Sequence, residues 1–185
     1  DEDVLIPALA IARQRVPDIR LILAPHEPDP DHVAVLSRRL AADGWSAATL
    51  SSVEESGSAH GVDAVVVDRV GALADLYTIG QIAYVGGGFH AAGLHSVLEP
   101  AAARLPVLFG PRHHSSRAAA DLMAVDAARS VVGRDALAEA LVAWLTDDDA
   151  RRQAAESAFG YIHKHLGAAS RSAAVLFELL RSPNA

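Results

Sequence analysis

Cysteine is absent from this 185-residue sequence, so disulfides, thiolate-bound metals and a cysteine nucleophile are excluded, and redox chemistry leaves the compartment open. Basic clusters are missing as well. The 16 Lys and Arg are outnumbered by 23 Asp and Glu, for a net charge of −7, so no run of cations exists to neutralise successive phosphates and nucleic acid is not an expected partner. No apolar stretch reaches the ~20 residues that span a bilayer. The opening Asp1-Glu2-Asp3 is acidic where an export signal is basic. The chain by itself is therefore expected to be soluble. The 9 His show no H-E-x-x-H or comparable spacing, which gives no reason to expect a metal. No repeat period or low-complexity tract points to a solenoid or a linker.

What is present suffices for one folded domain over residues 1–185. Hydrophobic residues make up 51% and charged residues 21% of the sequence, enough apolar surface to offset the entropy of ordering the chain. An amphipathic pattern starts almost at once, at Val4, Leu5, Ile6 and Leu9, and the first residue is not Met. The chain therefore reads as a domain cut from a longer protein, and a partner domain would then hold part of any active site.

Periodicity predicts a helix from Val4 to Val16, a strand at Leu21-Ile22-Leu23, a helix after Asp31 stopped by Gly44, and a strand within Trp45 to Leu50. Ser51 to Gly61, rich in Ser, Glu and Gly, reads as a surface loop. Compact apolar runs at Ala64–Val67, Ile82–Val85 and Pro106–Phe109 suit parallel strands covered on both faces. Helical patterns lie between and after them at Leu73–Tyr77, Ser96–Ala103 and Arg117–Ala124, and a further strand follows at Arg129–Val132. Helices are expected at Asp135–Leu145 and Asp148–Leu166, with a last one after Gly167 ending near Leu180. This alternation predicts an α/β fold, a Rossmann-like, doubly wound parallel sheet with a helical C-terminal tail.

The most informative stretch is Tyr84-Val85-Gly86-Gly87-Gly88-Phe89, three glycines at the carboxyl end of a buried strand, where open α/β sheets bind ligands. Glycine allows a sharp turn and a close approach of backbone N–H groups to phosphate oxygens. It serves ordinary tight turns equally well. The G-x-G-x-x-G fingerprint fits poorly, since the acidic ribose ligand about 20 residues on is missing, and no Lys follows to make a Walker-type loop. Downstream, Gly93-Leu94-His95-Ser96-Val97-Leu98-Glu99-Pro100 puts His95 and Glu99 four residues apart. A carboxylate there suits the two hydroxyls of a ribose, and Ser96 suits a helix cap or a phosphate donor. The plain alternative makes Ser96 a simple cap and Glu99 a solvated first-turn acid.

Four blocks in order resemble the C-terminal half of the bacterial Kdo (3-deoxy-D-manno-octulosonic acid) transferases: Asp68 to Tyr77, Ile82 to Phe89, Gly93 to Pro100, and Leu105 to Pro111. Ile22-Leu23-Ala24-Pro25-His26-Glu27 is similar to that family's loop beneath the donor nucleotide, and Gly167 with Ser170, Arg171 and Ser172 resembles the start of its final helix. Nearly the whole chain is covered.

The resemblance implies the C-terminal, nucleotide-sugar-binding domain of a GT-B glycosyltransferase, with the N-terminal acceptor domain absent from this chain. By position, Pro25 and His26 match the loop under the donor, Val70, Gly71 and Leu73 the loop against the base, and Gly86, Gly87 and Gly88 the turn facing the phosphate. His95, Ser96 and Glu99 match the motif at the donor's ribose and sugar. Two positions depart from the pattern, since many members carry Arg where His26 stands and Asn where Ser96 stands. The implied donor is CMP-Kdo and the implied acceptor a lipid A precursor, met through the missing domain at the cytoplasmic face of the bacterial inner membrane. No cofactor and no metal are implied, and the catalytic base belongs to the missing domain. His113 and His114, after Gly110-Pro111-Arg112, are candidates for the sugar carboxylate or phosphate, although adjacent loop His are commonly just solvated. The chain alone is expected to be monomeric and inactive in transfer. Two other readings stay open: a GT-B domain using a UDP-sugar, and a non-catalytic nucleotide-binding domain.

Overall fold

The computed structural model describes residues 1–91, 93–167, 172–173 and 175–177. Helix α1 (Glu2–Arg13) carries acids in its first turn and a cation in its last, as the helix dipole favours, and buries Leu5, Ile6, Ala8, Leu9 and Ala12. Strand β1 (Leu21–Leu23) follows. Helix α2 (Pro30–Ala42) starts slightly earlier than the sequence predicts, because the Asp29 side chain caps it by accepting the His32 N–H at 3.0 Å and Pro30 suits the first turn.

After β2 (Ala47–Thr49) the expected loop is instead a helix, α3 (Leu50–Ser56). Its Ser and Glu content hides two features that favour helix. Thr49 caps it by accepting the Ser52 N–H at 3.2 Å, and Leu50 is buried as its anchor. The remaining order is β3 (Ala64–Val66), α4 (Leu73–Tyr77), β4 (Ala83–Val85), α5 (Leu98–Ala102), β5 (Val107–Phe109), α6 (Arg117–Ala124), β6 (Ala128–Ser130), α7 (Arg134–Thr146) and α8 (Asp148–His165). Of the final helix expected after Gly167, Ser170, Arg171 and Leu180 lie outside the described residues.

Every strand pair is parallel, and among the described residues the ladders form two groups of three, β1-β3-β2 and β4-β5-β6. Ile22 and Ala48 both pair with Val65, and Tyr84 and Arg129 both pair with Leu108. One core crosses from group to group: Leu23 and Val66 of the first and Leu108 of the second pack in the same buried cluster with Ile6, Leu36 and Trp144. A second cluster joins Val85, Val107 and Phe109 to Val97, Leu122 and Ala158, closing the other face of β4-β5-β6. The fold is therefore the expected α/β arrangement of parallel strands covered by helices.

Candidate functional site

The candidate residues fall on the loops that leave the carboxyl ends of β1, β3, β4 and β5, and local packing brings these loops together. Glycine at 87 is a structural requirement. Its φ is +89° and an added Cβ would overlap the Gly93 carbonyl and the His95 ring. At Gly88 an added Cβ would run into the backbone of Gly110, beyond β5. Gly86 differs, since a Cβ there would meet nothing nearer than an Asp1 carboxylate oxygen at 3.8 Å. Of the three glycines, Gly86 is therefore the one whose side-chain position remains open.

The turn's carbonyls then fix the neighbouring loops. The His95 N–H donates to the Gly86 carbonyl at 3.0 Å, and the Arg112 N–H donates to the Gly88 carbonyl at 2.9 Å. Because the backbone at His95 is committed to the Gly86 carbonyl, the helix expected from Ser96 begins only at Leu98, with Val97 as its cap and no side-chain cap bond. Ser96 is therefore not the N-cap, and His95 and Glu99 do not share a helical face. His95 instead reaches across to β1, where its ring lies 4.7 Å from that of His26. Pro25 is half-buried, and His26, His95, Ser96 and Glu99 are exposed.

Glu99 is carried by α5, which packs against α4. Burial pushes the Tyr77 phenol of α4 up, and the Glu99 carboxylate pushes it further. The loop ahead of α4 presents Val70, which is 80% exposed, with Gly71 and Leu73 also exposed. Helix α3, unforeseen in the sequence, secures that loop. Asp68 accepts the Ser51 N–H and hydroxyl at 3.2 and 3.0 Å, and Arg69 donates to Glu54 at 2.6 Å. Burial alone would raise the Asp68 carboxyl, yet the Ser51 bonds, together with those from its own backbone N–H and from Thr49, hold the group below its ordinary value.

Sequence reasoning did not single out Asp1, Tyr84 and His90. The Asp1 carboxylate accepts from the Tyr84 hydroxyl at 2.8 Å and from the Phe89 N–H at 3.3 Å, with the His90 ring 3.1 Å away. Burial drives the Tyr84 phenol far above its usual range, so it stays a donor. Beyond β5, His113 stacks near Phe109 and His114, at ring separations of 5.2 and 4.8 Å. Burial, then the His114 charge, pushes the His113 imidazole down. Among the described residues no group of three or more His, Asp or Glu is placed to hold a metal ion, and no helix is long and apolar enough to cross a membrane.

No family model matches the chain. Relatives are found among 3-deoxy-D-manno-octulosonic acid transferases. That of Bordetella pertussis is 33% identical over 170 residues, covering 90% of this chain and 39% of its own. Those of Chlamydia muridarum and Aquifex aeolicus are 39% and 29% identical over 93 and 112 residues, covering 50% and 60% of this chain. The chain thus spans well under half the length of these relatives, 21% and 29% of the latter two. In structure it is similar to the C-terminal CMP-Kdo binding domain of WaaA from Acinetobacter baumannii, with a TM-score of 0.63, 17% identity, and coverage of 83% of this chain and 96% of that one. Sucrose-phosphate synthase from Thermosynechococcus elongatus shares the fold across 100% of this chain and 44% of its own, with a TM-score of 0.60 and 18% identity.

Proposed function

We propose that this chain, a relative of the Kdo transferases with the fold of a GT-B C-terminal domain, binds the donor CMP-Kdo for a glycosyltransferase that passes Kdo to a lipid A precursor. The observation that carries this reading is that His95, hydrogen-bonded through its N–H to the Gly86 carbonyl, packs its ring against that of His26, at strand ends where open α/β sheets bind a nucleotide's phosphate. In it, Val70, Gly71 and Leu73 meet the base. Pro25 and His26 underlie the donor, and the turn at Gly86, Gly87 and Gly88 borders the phosphate. His95 and Ser96 meet phosphate and sugar, and Glu99 accepts the ribose hydroxyls. An acceptor hydroxyl, deprotonated by a carboxylate of another domain at the inner-membrane surface, would displace CMP from the anomeric carbon. This chain's part is to orient that carbon and to stabilise charge on the departing phosphate.

Calorimetric titration tests the reading. CMP should bind and UMP should bind far more weakly. Glu99→Gln should cost about 1.5–3 kcal/mol of CMP affinity, the worth of hydrogen bonds to a charged group, with the melting temperature unchanged because Glu99 is exposed. A deoxyribose analogue should lose the same energy, and the two losses should not add. Preference for UMP, or a Glu99→Gln variant that binds CMP normally, would sink the assignment.

A further inference from the structure

A cavity lies beside the loop that follows the Gly86 turn, and the donor assignment above leaves it without a role. Its volume is about 230 Å³, and it is lined by His90, Ala91, Gly93, Arg112, His114 and Ser115. Cavities that take whole nucleotides or drug-sized molecules run to roughly 300–1,000 Å³, so this one suits a small group.

The chemistry of the lining points to an anion. Although the chain is acidic overall, the cavity presents the Arg112 guanidinium, the His114 imidazole and the Ser115 hydroxyl, beside a His90 ring already engaged by Asp1. Most of the described arginines contact a carboxylate or an aromatic ring. Arg112 has no such partner among the described residues and is exposed, while its backbone is pinned to the turn by the 2.9 Å bond to Gly88. A free guanidinium on a fixed backbone is already positioned to bind, and its planar fork matches the two oxygens of a carboxylate. Asp1 touches the cavity's lining through His90. Its carboxylate is only 9% exposed and already accepts from Tyr84 and Phe89. His90 Nε2 is engaged by this carboxylate at 3.1 Å and by the N-terminal ammonium at 2.7 Å, and Asp1 makes no ion pair with Arg112.

We infer that the cavity lined by His90, Ala91 and Gly93 on one side and by Arg112, His114 and Ser115 on the other is the subsite for the carboxylate of an acidic donor sugar, with Arg112 as its principal ligand and His114 and Ser115 beside it. This rests on the donor reading above. In an ulosonic acid the carboxylate is carried by the anomeric carbon, which also carries the phosphoester, so its subsite must border that of the phosphate. The Gly88–Arg112 backbone bond joins the two. The cavity thereby selects for a 2-keto sugar acid against a neutral sugar on the same nucleotide.

The test is calorimetric titration of the 185-residue chain with CMP and with CMP-Kdo, for wild type, Arg112→Met and Arg112→Lys. Wild type should bind CMP-Kdo at least about tenfold more tightly than CMP, the gain expected from hydrogen bonds to a charged group. Arg112→Met should erase that gain and leave CMP affinity intact, and Arg112→Lys should retain part of it, as a point charge without the fork. Equal wild-type affinity for the two ligands, or a gain that survives Arg112→Met, would overturn the subsite. Equal losses for both ligands in Arg112→Met would assign the cavity to the phosphate and overturn it as well. If wild type binds neither ligand, it is the donor reading that fails, and the subsite with it.

Discussion

At the scale of single residues, the three glycines of the turn look alike in the sequence and differ in the structure. Gly87→Ala forces a Cβ onto the Gly93 carbonyl at a φ of +89°, which should cost about 2–5 kcal/mol of stability as backbone strain and overpacking combine. Gly86→Ala finds open space out to the Asp1 carboxylate at 3.8 Å, so it should melt like wild type while weakening CMP through the lost close approach. Thermal melts paired with titration check both, and equal destabilisation by the two substitutions would contradict this account. A triple glycine after a buried strand was enough to locate the site in the sequence. Which of the three is demanded by packing depended on Gly93 and Gly110, distant in sequence, and no local pattern shows that. Arg112 escaped notice for the same reason, since its freedom is defined by carboxylates that lie elsewhere.

Most elements were legible at their centres, because parallel strands such as Val107-Leu108-Phe109 are uniformly apolar and buried. The misreadings came where side-chain caps or tertiary bonds outweigh composition. In α3 the Thr49 cap and the bonds from Ser51 to Asp68 organise a polar segment into a helix. At α5 the His95–Gly86 bond delays the start. A contact between elements also sets a pH dependence. The His32 ring on α2 lies 3.0 Å from the Glu2 carboxylate on α1, and that hydrogen bond raises the imidazole above its ordinary 6.5 despite the opposing effect of burial. The folded-state value exceeds the unfolded one, so the contribution is complete below about 6.5 and fades as the pH rises through the folded value. The melting temperature should therefore decline with rising pH just above 6.5. His32→Gln should flatten that decline, and an identical slope in the variant would remove the pair from the account.

Across the whole molecule, the hydrogen-bonded ladders divide into two groups of strands while the core does not. Leu108, on the middle strand of the second group, is fully buried in the cluster that contains Leu23 and Val66 of the first and both Trp45 and Trp144. Leu108→Ala should cost about 2–5 kcal/mol and lower the transition followed by Trp fluorescence and by far-UV circular dichroism to the same extent. Transitions that separate would mean that the two groups unfold independently.

The meeting of Gly88 with Gly110 has a consequence for how this surface can vary. The obstacle to a side chain at either position is the other's main chain, which no substitution shortens, so no second change relieves the first. In a library randomised at 86, 88, 110 and 112 and selected for folding alone, glycine should be recovered at 88 and 110 in nearly every clone while 86 and 112 diversify. Selection for donor binding should then restrict 86 and 112 as well. Sequence variation would in this way separate what the loops need in order to close from what they need in order to hold a ligand.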